Sequence, residues 1–215
     1  MVRDWTAVMP VKRLGAAKSR LRGAVPPARH GDLALAMVLD TASAVLAAPA
    51  VGELLVVTDD PVAAAAVSAL GARVAPDRPD AGLNEAMRHG ADEVAGLGRP
   101  RAVLAGDLPA LRPEQLDAAL TAARSGRAYA ADAAGTGTVL LAVGPGRPLD
   151  PRFGPGSAAA HAASGAVPLT GDWPGLRQDV DTPADLATVL GLGAGRHTCE
   201  LLRELGIEAA CVPAA

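Results

Sequence analysis

The chain is short of aromatic residues: two Trp, one Tyr and one Phe among 215 positions, or 2%. Half of the residues are apolar, so a core of this size has to be built from Ala, Val and Leu. Basic runs interleaved with aromatics are also missing, and the formal net charge is −3, which argues against a nucleic-acid partner. Cys199 and Cys211 are the only cysteines; two make neither a disulfide framework nor a zinc site. Residues 1–5 carry charges and the apolar run 6–11 is short, so neither a signal peptide nor a membrane span is expected. A soluble, cytoplasmic protein follows as the expectation. The four histidines are scattered, and no Ser/His/Asp or Cys/His constellation emerges from their order, so covalent catalysis is not supported. The string GAAKS at Gly15–Ser19 imitates a phosphate loop, but Ala17 rather than Gly precedes Lys18, and a Walker-type NTPase is excluded.

What is present is a regular alternation of strand-like and helix-like segments. Strands are expected at 6–11, 53–58, 72–75, 101–105, 127–131 and 138–143, with helices opening near Pro27 and covering 62–70, 83–97 and 113–125. That order predicts a single α/β domain spanning 1–215, a mostly parallel sheet with helices on both faces. After Asp132 the pattern changes. DAAGTG at 132–137 suggests a hairpin, 144–156 is rich in Gly and Pro, and a small-residue helix begins at Ser157. A strand-like run at 177–180 and helices at 183–190 and 196–205 close the chain.

The segment RAVLAGDLPAL, 101–111, carries the first chemical signal. A buried strand that releases Asp107 at its C-terminal end either caps the following turn or places a carboxylate in the crevice where α/β sheets bind ligands. A second acidic cluster, Asp179-Val180-Asp181, ends another strand-like run. Two such carboxylate sites are what a divalent cation bound to a phosphate requires. Five cations (Lys12, Arg13, Lys18, Arg20 and Arg22) follow the first strand; they form either a solvated loop or donors for a phosphate chain at the sheet's mouth. The string GPGSAA at 154–159 fits a dinucleotide fingerprint only weakly, being late in the chain and interrupted by Pro155. Its physical content is two glycines and Ser157 at a helix N-cap, which either caps the helix or offers N–H groups to an anion. Thr136 and Thr138 lie in GTGT before an apolar strand. Asn84 and Glu85, in AGLNEA, sit at a helix start, where the amide either caps the helix or reads a base edge.

PVKRLGAAKSRL, GLNEA, GDLP, RFGPGS and DVDTP occur in that order. Together they resemble the guanylyltransferases that start the side chain of the deazaflavin coenzyme F420, namely 2-phospho-L-lactate guanylyltransferase and its phosphoenolpyruvate-using relatives. The resemblance runs from about Thr6 to Leu190. It implies a Rossmann-like nucleotidyltransferase sheet similar to that of molybdenum-cofactor guanylyltransferases, whose glycine-rich first loop is replaced here by MPVK. It further implies Mg²⁺ held by Asp107, Asp179 and Asp181, and GTP phosphates met by Lys12 and Lys18, with those two lysines and Asp107 as the catalytic set. A phosphorylated three-carbon acid would be held by Thr138, Gly154 and Ser157, and Asn84 would lie near guanine. The GC-rich compositional bias inclines the acceptor towards phosphoenolpyruvate. A transferase for another acceptor, such as molybdopterin or a sugar phosphate, and a non-catalytic nucleotide-binding domain are the competing expectations.

Overall fold

The computed structural model describes residues 3–16, 21, 24–78, 81–124 and 126–207. Seven strands form one sheet: β1 (Trp5–Pro10), β2 (Val51–Val57), β3 (Arg73–Ala75), β4 (Arg101–Leu104), β5 (Arg127–Ala131), β6 (Thr138–Val143) and β7 (Val167–Pro168). Their order is β3-β2-β1-β4-β6-β5-β7. Pairs β1–β2, β1–β4, β2–β3 and β5–β7 are parallel, while β6 runs antiparallel to both β4 and β5. A mostly parallel sheet is therefore what the alternation builds, with the hairpin at 132–137 turning one strand against the rest.

The helices are α1 (His30–Ala47), α2 (Pro61–Ala69), α3 (Leu83–Arg88), α4 (Pro113–Ala122), α5 (Ser157–Ala163), α6 (Pro174–Arg177), α7 (Pro183–Leu192) and α8 (Arg196–Glu204). Beyond α3 the chain widens into a π-type turn over His89–Val94. Gly90 allows this close approach, because a Cβ there would meet Val57 Cγ2 at 2.7 Å and Val8 Cγ1 at 2.9 Å.

Side chains on β1 alternate between two cores, as strand geometry demands. Trp5, Ala7 and Met9 face one cluster with Val45, Leu116 and Leu120; Val8 faces another with Leu55, Val103, Leu141 and Met87. A third cluster joins Leu33 and Met37 of α1 to Val180, Leu186, Val189 and Leu202. Both faces of the sheet are thus covered, and burial of this aliphatic surface supplies about 25 cal/mol per Å².

Two sequence expectations are corrected. Residues 177–180 do not form a strand: Pro174–Arg177 is a helical turn, after which the chain runs past the end of β4. In addition, the segment Pro27–Ala47, 21 residues, is long and apolar enough to cross a membrane by length and composition, with mean hydropathy 1.2 over its most apolar 18 residues. Its environment explains the apolarity. Val38, Ala42 and Val45 enter the first core and Leu33, Ala36 and Met37 the third, while the buried Asp40 accepts hydrogen bonds from the His197 and Thr198 amides at 2.8 and 2.9 Å. This helix is packed between two cores.

Candidate active site

The C-terminal ends of β1, β2 and β3 open into a cavity of ≈ 290 Å³, lined by Val11, Lys12, Arg13, Val57, Asp59, Asp77 and Leu83 among others. Val11, Val57, Leu83 and Ala86 give it an apolar lining, to which Asp59 and Asp77 add carboxylates, and the strands continue into it: the Val11 amide bonds the Val57 carbonyl at 2.9 Å and Thr58 bonds Ala75 at 3.0 Å. The exposed cations Lys12 and Arg13 stand at its rim. Asp60 anchors this loop. One carboxylate oxygen caps α2 by accepting from the Val62 and Ala63 amides, both at 3.0 Å, and the other accepts from Leu14 at 2.9 Å. Those amides, Ala63 first, hold the Asp60 carboxyl below the usual range, so the anchor is ionised at neutral pH. The Asp60-Pro61 pair is an ordinary cap signal in the sequence; that it also seats a distant loop is not. Lys18 lies outside the described residues.

Asp107 emerges one residue after Gly106 at the end of β4. Three hydrogen bonds fix the backbone around it. The Leu108 amide donates to Thr41 Oγ1 at 3.0 Å, the Val180 amide donates to the Asp107 carbonyl at 3.2 Å, and Gly195 donates to Pro109 at 2.8 Å. The second of these lays Asp179-Val180-Asp181 beside Asp107. Downstream, Thr182 caps α7 in a reciprocal box with Asp185, whose carboxylate also accepts from the Asp181 amide at 3.1 Å. This explains DVDTP: Val180 is buried, and the flanking carboxyls are presented by a rigid helix entry. The Asp179 carboxyl is pushed up to about 7, first by burial and then by Asp107, Asp181 and Asp132.

Among the described residues, no three carboxylate, imidazole or thiolate side chains are already gathered at cation-binding spacing. What is brought together is a set of hard oxygen donors whose mutual repulsion a cation would relieve. Mg²⁺ is commonly held by one or two carboxylates plus substrate phosphates rather than by an all-protein cage, and the donor set suits it.

Across the sheet, Thr138 begins β6 and is buried. Its Oγ1 lies 2.9 Å from His161 Nδ1, and the ring's Nε2 lies 2.9 Å from the Arg152 amide. A backbone amide only donates, so Nε2 is the acceptor and the ring proton sits on Nδ1, donated to Thr138. His161 is fully buried, and its pKa is pulled down to about 4 by that burial and then by Arg127. Phe153 meets the ring edge-on at 5.0 Å.

Asn84, the residue expected near a base, is held by the peptide of Phe153. Its Nδ2 donates to the Phe153 carbonyl at 3.0 Å and its Oδ1 accepts from the Phe153 amide at 2.7 Å, so the amide pairs with a peptide group. Gly154 (φ +139) and Gly156 (φ +71) follow in conformations that suit glycine. Ser157 is the first helical residue of α5, with Gly156 rather than Ser157 at the N-cap. Thr136 is exposed, and its carbonyl accepts from Ala158 at 3.1 Å. Thr138, Gly154 and Ser157 thus belong to one neighbourhood, tied to β6 by His161 and to α3 by Asn84. His161, Thr41 and Asp60 received no role from the sequence, because their partners are remote.

Comparison with known proteins agrees with this architecture. A nucleotidyl transferase from Methanothermobacter superposes with a TM-score of 0.61 over 86% of this chain and 95% of its own, at 21% identity. A protein from Salinispora arenicola named phosphoenolpyruvate guanylyltransferase is 62% identical over 204 residues, 94% of each chain. One of the same name from Geodermatophilus obscurus is 55% identical over 207 residues, covering 94% of this chain and 95% of its own. The model of a guanylyl transferase family, described as CofC like, matches residues 5–213. The chain belongs to this CofC-like guanylyl transferase family.

Proposed function

We propose that the enzyme transfers GMP from GTP to phosphoenolpyruvate with release of pyrophosphate, as a step in building coenzyme F420. The observation that carries this reading is the 62% identity, over 94% of both chains, to a relative bearing the name of that activity. In the mechanism, a phosphate oxygen of the acid attacks the α-phosphorus in line, and the bond to the pyrophosphate oxygen breaks. A phosphate monoester is largely dianionic at neutral pH, so the nucleophile needs no general base. His161, buried beside Thr138, fits that account: both ring nitrogens are hydrogen-bonded and its pKa is about 4.

The chain's task is then to bring two anions together and to neutralise charge on the departing pyrophosphate. Lys12 and Arg13, at the rim of the cavity, provide positive charge for the GTP phosphates, and Lys18, six positions after Lys12 in the sequence, is assigned the same role. The apolar side chains of that cavity, Val11, Val57 and Leu83 among them, receive the base. Asp107, Asp179 and Asp181 are the residues that would hold Mg²⁺, which when bound supplies charge neutralisation at the phosphates. Thr138, Gly154 and Ser157 receive the acid. The reading includes a cytoplasmic location, supported by α1 being part of the core rather than by any address signal.

The test is pyrophosphate release from GTP and Mg²⁺ with phosphoenolpyruvate and 2-phospho-L-lactate offered in parallel, with mass spectrometry following the product. Release with phosphoenolpyruvate alone is expected. Release with 2-phospho-L-lactate alone reassigns the acceptor, and release with neither sends the search to other phosphorylated acceptors.

A further inference from the structure

We infer that His161 is a positioning residue that sets the polarity of the Thr138 hydroxyl, turning it into an obligatory donor towards the acid. This inference rests on the reading that Thr138 touches the acceptor.

The argument is one of proton counting. A hydroxyl has a single hydrogen and can point it in only one direction at a time. If Thr138 donated to His161, it would present only lone pairs to an incoming anion. Phosphates and carboxylates at neutral pH offer only acceptor oxygens, so that arrangement would repel the substrate. The structure excludes it by a relay. The Arg152 amide, 2.9 Å from Nε2, can only donate; Nε2 therefore carries no proton, Nδ1 carries it, and Thr138 Oγ1 must accept at 2.9 Å. The hydroxyl's own hydrogen is left for another acceptor, and among the described residues no other partner of that oxygen is present.

The surroundings preserve this tautomer. Arg127 from β5, and Asp150 and Arg152 from the preceding loop, are the charged groups that act on the ring. Tyr129, with centroids 6.0 Å apart, and Phe153 enclose it. Arg127 is itself tied down, donating to the Leu149 carbonyl at 2.8 Å and to Ser164 Oγ at 2.6 Å. The same imidazole thus registers the loop carrying Phe153 and Gly154 against the strand carrying Thr138. One ring orients both halves of the acceptor subsite.

The experiment compares Thr138→Val, His161→Phe, His161→Asn and the Thr138→Val/His161→Phe pair, measuring KM for phosphoenolpyruvate and for GTP separately, with melting temperatures as a check on folding. His161→Asn retains an N–H where Nδ1 stands. Thr138→Val and His161→Phe are each expected to raise the acid KM about tenfold while GTP changes less than about twofold. His161→Asn should recover most of the loss, and the double variant should be no worse than Thr138→Val. A folded His161→Phe enzyme with an unchanged acid KM, beside an affected Thr138→Val, overturns the role of His161 alone. An unchanged Thr138→Val enzyme overturns the underlying reading and this inference together. Equal rises in both KM values would mark His161 as merely structural and overturn the inference. Long-range ¹H–¹⁵N spectra of the unmodified protein give an independent arm: the Nδ1–H tautomer is expected, and Nε2–H would overturn the relay.

Discussion

The two halves of the sheet present their polar groups in different ways. On the β3-β2-β1 side, the ends of parallel strands frame a cavity whose apolar lining is joined by two exposed cations, Lys12 and Arg13, and two carboxylates, Asp59 and Asp77. On the β6-β5-β7 side, the neighbourhood is assembled from buried polar side chains: Thr138, His161 and the partners of the loop at 150–156. The first arrangement is tolerant, since a cation at a strand end needs only to reach. The second is exacting, because a buried polar group left unpaired costs about 1–3 kcal/mol. The proposed function, with a nucleotide on one side and a small acid on the other, calls for that division.

Between the halves stands Asp107, where the comparison can be broken most severely. Asp107→Asn keeps the size of the side chain and removes its charge. Turnover should fall on the order of a hundredfold or more, with little change in melting temperature, and chelation of divalent cations should abolish activity of the parent enzyme. A variant with a near-parental rate at saturating Mg²⁺ would show that neither half depends on this carboxylate. Next in size is Lys12→Ala, which should reduce kcat/KM for GTP roughly ten- to a hundredfold and leave the acid KM within about twofold. An equal effect on both substrates would dissolve the division proposed here.

The β6-β5-β7 half also carries a pH signature. His161 has a pKa of about 4 in the fold against an ordinary value of 6.5, so the unfolded chain binds its proton first as pH falls. Stability is therefore fully present above 6.5 and declines between 6.5 and 4, by about 2 kcal/mol at pH 5. Urea denaturation of the parent and of His161→Phe at pH 7.5 and pH 5 measures this: the variant's curve should lose that part of the slope. An identical slope in both would place the acid sensitivity elsewhere.

How much of this was legible in the sequence follows the same divide. Strand runs, the helix at Pro113, Asp107 after Gly106 and the cationic loop are local patterns, and alternation of apolar residues sufficed to order them. The antiparallel turn at 132–137 was also written locally, in Asp and Gly. What escaped were pairings between remote residues. Nothing near Thr41 announces that its hydroxyl will bond Leu108, 67 positions away, and nothing near Asp60 announces Leu14. The run 177–180 misled because a buried Val180 between polar neighbours imitates strand alternation; its burial comes instead from the third core, against Leu186 and Leu202. Asn84's pairing was hidden for a related reason. A carboxamide suited to a base edge is equally suited to a peptide group, and only the fold shows which one it meets.

That residue supplies the mildest and most discriminating prediction, because Asn84 starts on one half and ends on the other. It belongs to α3, whose Leu83 and Ala86 line the cavity at the ends of β1, β2 and β3, and its amide pairs with Phe153 beside Gly154. Asn84→Ala removes both bonds, each worth about 1 kcal/mol net, and frees the loop from the helix without touching Thr138 or His161. If the halves are separable, the acid KM should rise about threefold to tenfold and that for GTP should barely move. Asn84→Asp keeps the acceptor for the Phe153 amide but sets a carboxylate against the Phe153 carbonyl, so it should be at least as damaging as Ala despite its smaller change in shape. Should either variant weaken GTP as much as the acid, the clamp would couple the two sites. α3 would then be the element through which an occupied nucleotide cavity organises the acceptor loop.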